Sequence, residues 1–293
     1  MDDIAVIGAG PAGIAASIYL KRAGINVTLF EKEKIGGLLL NAYLVENYPG
    51  FPTGIAGSQL CKLMEDQLGN WNIQLTNEEV KQITIENNGF KLSTKNKEGT
   101  YRAVIVATGT KYKTLGIPGE HQMIGELVFY EIKDLFQKLK SGDTCTVIGS
   151  GDAAFDYSLN LADNGIEVGL YFRSEKPKCL TLLEERVRKC TTINLHPSFE
   201  AIEIKKINGK PEIKFRSTYG IKTCTNKTDY VLIACGRDPN DELLVKHFKK
   251  NNISGLYFAG DVRTGMFRQA GIAVGEGIYA AMSAETYLRG AKK

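Results

Sequence analysis

The stretch Ile4-Ala5-Val6-Ile7-Gly8-Ala9-Gly10-Pro11-Ala12-Gly13 decides the fold. Its apolar run ending in glycine reads as a buried strand, and Ala12 to Ala23 then carries apolar residues at helical spacing until Gly24 stops it. Within the turn, Gly8 permits the sharp reversal, Gly10 lets the backbone approach a pyrophosphate, and Gly13 lets the helix lie close to the strand. The helix N-terminus that follows offers unpaired amides and a partial positive charge. Asn26 to Phe30 supplies a second strand, and Glu31 closes it at the distance where an acidic side chain meets ribose hydroxyls.

The same order recurs at mid-chain. Thr144 to Ile148 reads as a strand, Gly149-Ser150-Gly151-Asp152-Ala153-Ala154 as the turn with alanine for the last glycine, Ala153 to Asp163 as the helix, and Val168 to Phe172 as the next strand. The repetition continues, since Val104-Ile105-Val106-Ala107-Thr108-Gly109 and Val231-Leu232-Ile233-Ala234-Cys235-Gly236 occupy the same relative place in each half. After the second copy the charge sign reverses: Arg173 stands where the ribose-contacting acid would be, with Lys176 and Lys178 just beyond. That arrangement suits a 2′-phosphate, hence NADPH over NADH, although a run of cations is also what a solvated loop carries.

Between these landmarks Ser58 reads as the N-cap of a helix through Leu68. Val80 to Glu86, the turn Asn87-Asn88-Gly89 and Phe90 to Thr94 read as a hairpin, and Tyr101 to Ala107 as a buried strand. Leu115-Gly116-Ile117-Pro118-Gly119 is turn chemistry and marks the first interdomain crossing. A helix near Leu182 to Lys189, a hairpin across Asn208-Gly209 and a strand Tyr230 to Cys235 follow. Gly255 to Asp261 and an amphipathic helix from Gln269 to Leu288 return the chain to the first domain. The expected fold is therefore α/β, with two Rossmann-like dinucleotide-binding domains, the second inserted into the first: 1–113 with 236–293, and 114–235.

With 293 residues and 43% hydrophobic content the chain can bury two modest cores. The net charge of +4 is spread along it, so nothing argues for a nucleic-acid groove, and the slight basicity favours an acidic partner. No apolar stretch is long enough for a membrane span and no charged leader precedes the first strand, which points to the cytoplasm. The six cysteines show no Cys-x-x-Cys pair and no metal-ligand spacing. Cys145 and Cys235 fall in strand-like runs and read as buried; Cys179 and Cys190 flank a helix, too far apart for a dithiol motif. His196 and His247 have no partner cluster, so neither receives a catalytic role.

Six motifs in order carry a family resemblance: Gly8-x-Gly10-x-x-Gly13, Val45-Glu46-Asn47-Tyr48-Pro49-Gly50, Ala107-Thr108-Gly109, Gly149-x-Gly151-x-x-Ala154, Gly260-Asp261 and Arg268-Gln269-Ala270. Through them the chain resembles the low-molecular-weight thioredoxin reductase group of flavoproteins over nearly its whole length. The resemblance implies FAD in the split domain, NADPH (with NADH as the alternative donor) in the inserted one, and a homodimer. It implies that Gly8, Gly10, Pro11, Ala12 and Gly13 hold the FAD pyrophosphate and Glu31 its ribose. Gly37, Leu38, Asn47, Ala107, Thr108 and Gly109 would lie near the flavin or its chain, and Gly260 and Asp261 at the ribityl hydroxyls. Arg268, Gln269 and Ala270 would face the pyrimidine edge, where a helix start aims amides at developing negative charge. Gly149, Gly151, Asp152, Ala153, Ala154, Arg173, Lys178 and Gly236 would hold the NADPH.

The departure from the family is informative. Thioredoxin reductases carry a Cys-x-x-Cys in the inserted domain, and the corresponding stretch here is Val128-Phe129-Tyr130-Glu131-Ile132-Lys133-Asp134, with Glu131 and Asp134 in place of both cysteines. A carboxylate cannot relay electrons through a disulfide. In this respect the chain is similar to the thioredoxin-reductase-like ferredoxin-NADP reductases, which typically extend past the last helix with an aromatic residue, yet it keeps Arg268-Gln269-Ala270 and is expected to do without that extension. Bacillithiol-disulfide reductases, another relative, place a cysteine in the first glycine loop, where Ala12 stands here. The expected activity is an FAD-dependent NAD(P)H oxidoreductase without a redox disulfide, feeding ferredoxin or flavodoxin, or a small molecule such as a quinone or oxygen. The alternatives are disulfide reduction through remote cysteines and a non-catalytic FAD- and nucleotide-binding redox sensor.

Overall fold

The computed structural model describes residues 2–86, 89–243, 253–265 and 267–290. The chain forms two compact units, one of residues 1–40, 45–111 and 238–293, the other of 41–44 and 112–237. This division departs from the sequence-based bounds at both joins. It also assigns 41–44, which the sequence reading left in the first domain, to the second unit. The first crossing lies at 111/112, ahead of the Leu115–Gly119 turns expected to make it.

In the first unit, β1 (Asp2–Ile7), α1 (Pro11–Arg22), β2 (Val27–Phe30), α2 (Gly57–Asn70) and β3 (Gln74–Thr76) are followed by β4 (Gln82–Glu86), β5 (Gly89–Ser93) and β6 (Glu98–Val106), and β7 (Thr110–Tyr112) runs through the join. The parallel part of the sheet runs β3-β2-β1-β6. Ile4 to Val6 are fully buried on both faces, as a strand in a covered parallel sheet must be. The long β6 serves two ladders: its start pairs antiparallel with β5, Ser93 opposite Glu98, and its end pairs parallel with β1, Val106 opposite Ile7. Asn87 and Asn88 of the expected hairpin turn lie outside the described residues. The α2 helix starts at Gly57 with Ala56 as N-cap, so Ser58 sits within the first turn and caps nothing.

The second unit contains β8 (Val128–Phe129), α3 (Ile132–Leu135), β9 (Thr144–Ile148), α4 (Asp152–Asp163), β10 (Glu167–Phe172), α5 (Thr181–Lys189) and β11 (Ile193–Pro197), then β12 (Phe199–Ile207), β13 (Lys210–Ser217), β14 (Thr223–Lys227) and β15 (Tyr230–Ile233). Its sheet runs β11-β10-β9-β15-β8, all parallel. Ala154, Phe155 and Leu161 of α4 fill one face of that sheet. Ile204, Ile213 and Phe215 of the antiparallel β12-β13-β14 layer fill the other. Asn208 and Gly209, which turn β12 into β13, both have positive φ (52° and 79°), the hand a two-residue hairpin demands.

The chain returns through β16 (Arg237–Pro239), β17 (Leu256–Phe258), α6 (Asp261–Thr264) and α7 (Ala270–Gly290). β17 completes the first sheet beside β6, so its parallel core reads β3-β2-β1-β6-β17, the same arrangement as β11-β10-β9-β15-β8. In each unit the strand before the glycine turn is flanked by the next strand on one side and a later one on the other. That reversal opens a crevice at the carboxyl ends of the strands. α7 lies across α1 so closely that a Cβ on Gly277 would collide with the backbone oxygen of Ala12.

Candidate dinucleotide sites

The two glycine turns have closely similar backbones where they open their helices. Gly10 caps α1 at φ −77°, ψ −180°, and Gly151 caps α4 at φ −93°, ψ −178°, neither helix receiving a side-chain cap. Gly8 (φ 103°) and Gly149 (φ 156°) precede them, each so close to a neighbouring strand end that a Cβ would strike the carbonyl of Ala107 or of Ala234. Gly13 is equally crowded against Gly8, while Gly10 and Gly151 have open space where a side chain would stand. The glycines that must pack are packed, and the ones that must let a phosphate approach are open.

In the first unit several of the residues singled out in the sequence lie against the Gly8–Gly13 turn. The Ala9 N–H donates to Glu31 Oε2 at 2.7 Å and the Glu33 N–H to Oε1 at 2.8 Å. Each carboxylate oxygen then keeps a lone pair for a ribose hydroxyl. The Gly36 N–H donates to the Ala9 carbonyl at 2.8 Å, and a Cβ on Gly37 would come within 3.3 Å of Gly10 Cα, which brings Gly37 and Leu38 beside the turn. Thr108 donates its hydroxyl to the Asn240 carbonyl at 2.6 Å, and the Asn240 N–H returns a bond to Gly109 O at 2.9 Å. Gly260 (φ 76°) approaches Ala12, with a virtual Cβ 2.8 Å from the Ala12 methyl. Asp261 opens α6 and Ala270 opens α7, and Asn47 Nδ2 donates to Gln269 Oε1 at 2.6 Å. Arg268, half-buried, precedes that pair.

In the second unit, the loop after β10 is tied to the glycine turn by two bonds: Lys178 N–H to Ser150 O at 2.7 Å and Leu180 N–H to Asp152 Oδ1 at 2.8 Å. Arg173, Lys176 and Lys178 are exposed on this loop, while Ala153 is exposed and Ala154 buried on the helix itself. Gly236 (φ 112°) turns the chain just after β15 and accepts the Lys113 N–H at 3.0 Å. β15 ends at Ile233, two residues before the expected end, which leaves Cys235 exposed rather than buried. Cys145 is buried, as its strand position suggested.

Glu131 and Asp134 sit at the start of α3. Glu131 is its N-cap residue, and its carbonyl accepts the Asp134 N–H at 3.1 Å. The Glu131 carboxylate is nearly enclosed, with Oε1 2.7 Å from Arg237 and Oε2 accepting from Asn41 Nδ2 at 2.7 Å. Burial raises its pKa above the ordinary carboxylate value, and the Arg237 charge opposes the rise. Asp134 is exposed. Sequence reasoning missed Arg237 and Asn41 as partners, because 90 and more residues separate them from Glu131. It also missed Glu120, Asn240 and Glu276, which no motif marks. His247 lies outside the described residues, and His196 stacks on Tyr171 with ring centroids 4.1 Å apart. Among the described residues no helix is long and apolar enough to cross a membrane, and no group of His, Cys, Asp and Glu could hold a metal ion.

A family profile for pyridine nucleotide-disulphide oxidoreductases matches residues 2–277. The chain is 29% identical to a 34.2 kDa protein in the rubredoxin operon of Clostridium pasteurianum, over 98% of this chain and 97% of that protein. It is likewise 29% identical to NADPH-dependent thioredoxin reductase 3 of Arabidopsis thaliana, over 98% of its own length but only 58% of the plant protein's. Among solved structures, thioredoxin reductase from Lactococcus lactis superposes with a TM-score of 0.90 at 27% identity, covering 99% of this chain and 100% of that one.

Proposed function

The chain belongs to the pyridine nucleotide-disulphide oxidoreductase family, and on that premise we propose that it is an FAD-dependent NADPH oxidoreductase of thioredoxin reductase type that feeds an external one-electron carrier, ferredoxin or flavodoxin. The observation that carries this reading is the Glu131–Arg237 ion pair at 2.7 Å, in the place where the family's redox dithiol would stand. Neither Glu131 nor Asp134 can accept electrons. Cys179 and Cys190 cannot replace the pair either, because the nine-residue α5 runs between them. A helix of that length spans about 13 Å, against a Cα separation of at most ~7 Å for a disulfide. Burial pushes the Cys61 thiol up to about 12 and raises that of Cys145 further, so both are poor nucleophiles.

FAD, when bound, supplies acceptance of a hydride from NADPH and release of single electrons. The chain's residues bind and orient. The open backbone at Gly10 and the uncapped start of α1 receive the pyrophosphate, and Glu31 accepts from the ribose. Asp261 takes the ribityl hydroxyls, with Arg268, Gln269 and Ala270 at the pyrimidine edge, where Asn47 fixes the Gln269 amide. Gly149, Gly151 and Ala154 form the second cradle for NADPH, with Arg173 and Lys178 on its 2′-phosphate. A clostridial relative named for a rubredoxin operon supports a one-electron partner. Ile272, Tyr279 and Met282 leave an exposed apolar face on α7 (40%, 70% and 49% accessible), and a second copy of the chain covers it in a homodimer.

Anaerobic stopped-flow mixing tests the proposal. NADPH bleaches the flavin within the dead time to seconds, more effectively than NADH, and ferredoxin or flavodoxin then restores its colour. A flavin that NADPH leaves oxidised identifies a binding protein instead. Reoxidation by thioredoxin, a quinone or oxygen alone overturns the choice of carrier.

A further inference from the structure

One half-buried carboxylate near the first site belongs to none of its motifs. Glu276 lies on α7, nearly two turns beyond Ala270, with its side chain only 17% exposed. Its Oε2 accepts the Gly260 N–H at 2.8 Å, and its Oε1 accepts from the Arg263 guanidinium at 3.1 Å. Those donors span the start of α6: Gly260 precedes it and Arg263 lies inside it, with the Arg263 N–H also bonded to Gly260 O at 2.9 Å. Gly260 needs such a hold, since φ 76° with ψ −155° is a conformation essentially confined to glycine and it presses on Ala12. The neighbouring Gly277 packs on the Ala12 carbonyl, so Glu276 is anchored at the closest approach of α7 to α1.

We propose that Glu276 is a positioning residue for FAD: by gripping both ends of the Gly260–Arg263 turn from α7, it fixes Asp261 relative to the Arg268–Ala270 helix start. The inference rests on the reading of this site as the flavin site. A carboxylate bonded to an amide and a guanidinium is a charge-assisted clamp, and its loss frees the turn without opening the core. Asp261 then loses its fixed direction while α1, the glycine turn and Glu31 stay in place.

The test compares full-length parent, Glu276→Ala, Glu276→Gln and Arg263→Ala for uptake of added FAD, followed by quenching of flavin fluorescence after the bound flavin has been stripped. Glu276→Ala is expected to raise the FAD dissociation constant at least fivefold and to alter the visible flavin band. Glu276→Gln keeps an oxygen on the Gly260 N–H and is expected to restore binding to within about twofold, and Arg263→Ala to lie between them. The melting temperature of the stripped protein is expected to move little in any variant. Should Glu276→Ala fail to fold, the comparison of Arg263→Ala with the parent decides alone: unchanged FAD affinity and an unchanged flavin band overturn the clamp. Parental affinity in Glu276→Ala overturns this inference while leaving the flavin site intact. A parent that takes up no FAD overturns the reading of the site and this inference with it.

Discussion

Replacing Glu120 by alanine is expected to cost the second unit about 3 kcal/mol. Glu120 is wholly buried, and its carboxylate accepts four donors: the N–H groups of Leu115, Gly116 and Ile117 at 2.8, 2.7 and 3.3 Å, and the Tyr130 hydroxyl at 2.5 Å. Tyr130 in turn stacks on Tyr112, ring centroids 3.8 Å apart and ring planes nearly parallel. Alanine removes every acceptor at once, and an orphaned buried donor costs roughly 1–3 kcal/mol. Gly116 is exposed, so its N–H recovers a water, which keeps the sum near the lower bound for the other three. At about 3 °C per kcal/mol, the melting transition falls by ~9 °C. Tyr130→Phe removes one donor and leaves the carboxylate its three amides, for a loss of about 1 kcal/mol. Urea and thermal unfolding of the two variants, followed by near-ultraviolet circular dichroism, measure both losses. A Glu120→Ala protein within 1 kcal/mol of the parent, or one no weaker than Tyr130→Phe, would refute the reasoning.

Gly277→Ala drives a methyl into the Ala12 carbonyl, and the resulting overpacking is expected to lower stability by about 2–3 kcal/mol in denaturant titration; a neutral result means α7 can slide on α1. His196 is half-buried and burial depresses its pKa, so the unfolded chain binds a proton that the folded chain refuses. Stability is therefore expected to fall as pH drops below about 6.5, and His196→Phe, which keeps the stack on Tyr171, to flatten that slope in melting curves from pH 7.5 to 5.5. Arg173→Ala is expected to raise the KM for NADPH about tenfold, the worth of one charge-assisted bond, and to leave that for NADH unchanged; equal changes in both would remove Arg173 from the 2′-phosphate site.

Much of this protein was legible in one dimension, for a physical reason. Short-range rules govern a strand, a glycine turn and a helix, so Ile4–Gly13 and Thr144–Ala154 could be read as matching units, and β9 was bounded to the residue. Glu31 was legible because its partner, the Ala9 amide, lies on the adjacent strand end of the same unit. Boundaries set by tertiary demand were not. The first turn of α2 passed over Ser58, and β15 released Cys235 to the surface because the chain must turn at Gly236.

Sequence by itself determined the α/β class, the duplicated glycine turns and the absence of a Cys-x-x-Cys, since each is a property of residue type and spacing along the chain. Only the tertiary structure decided what surrounds Glu131 and what holds the turns of each unit. Glu131 meets Arg237 across 106 residues of sequence, Glu276 reaches back 16 residues to Gly260, and Glu120 gathers a turn and a tyrosine around one carboxylate. A lone glutamate in a sequence reads as a solvated charge, because burial and partners come from segments that folding alone brings together.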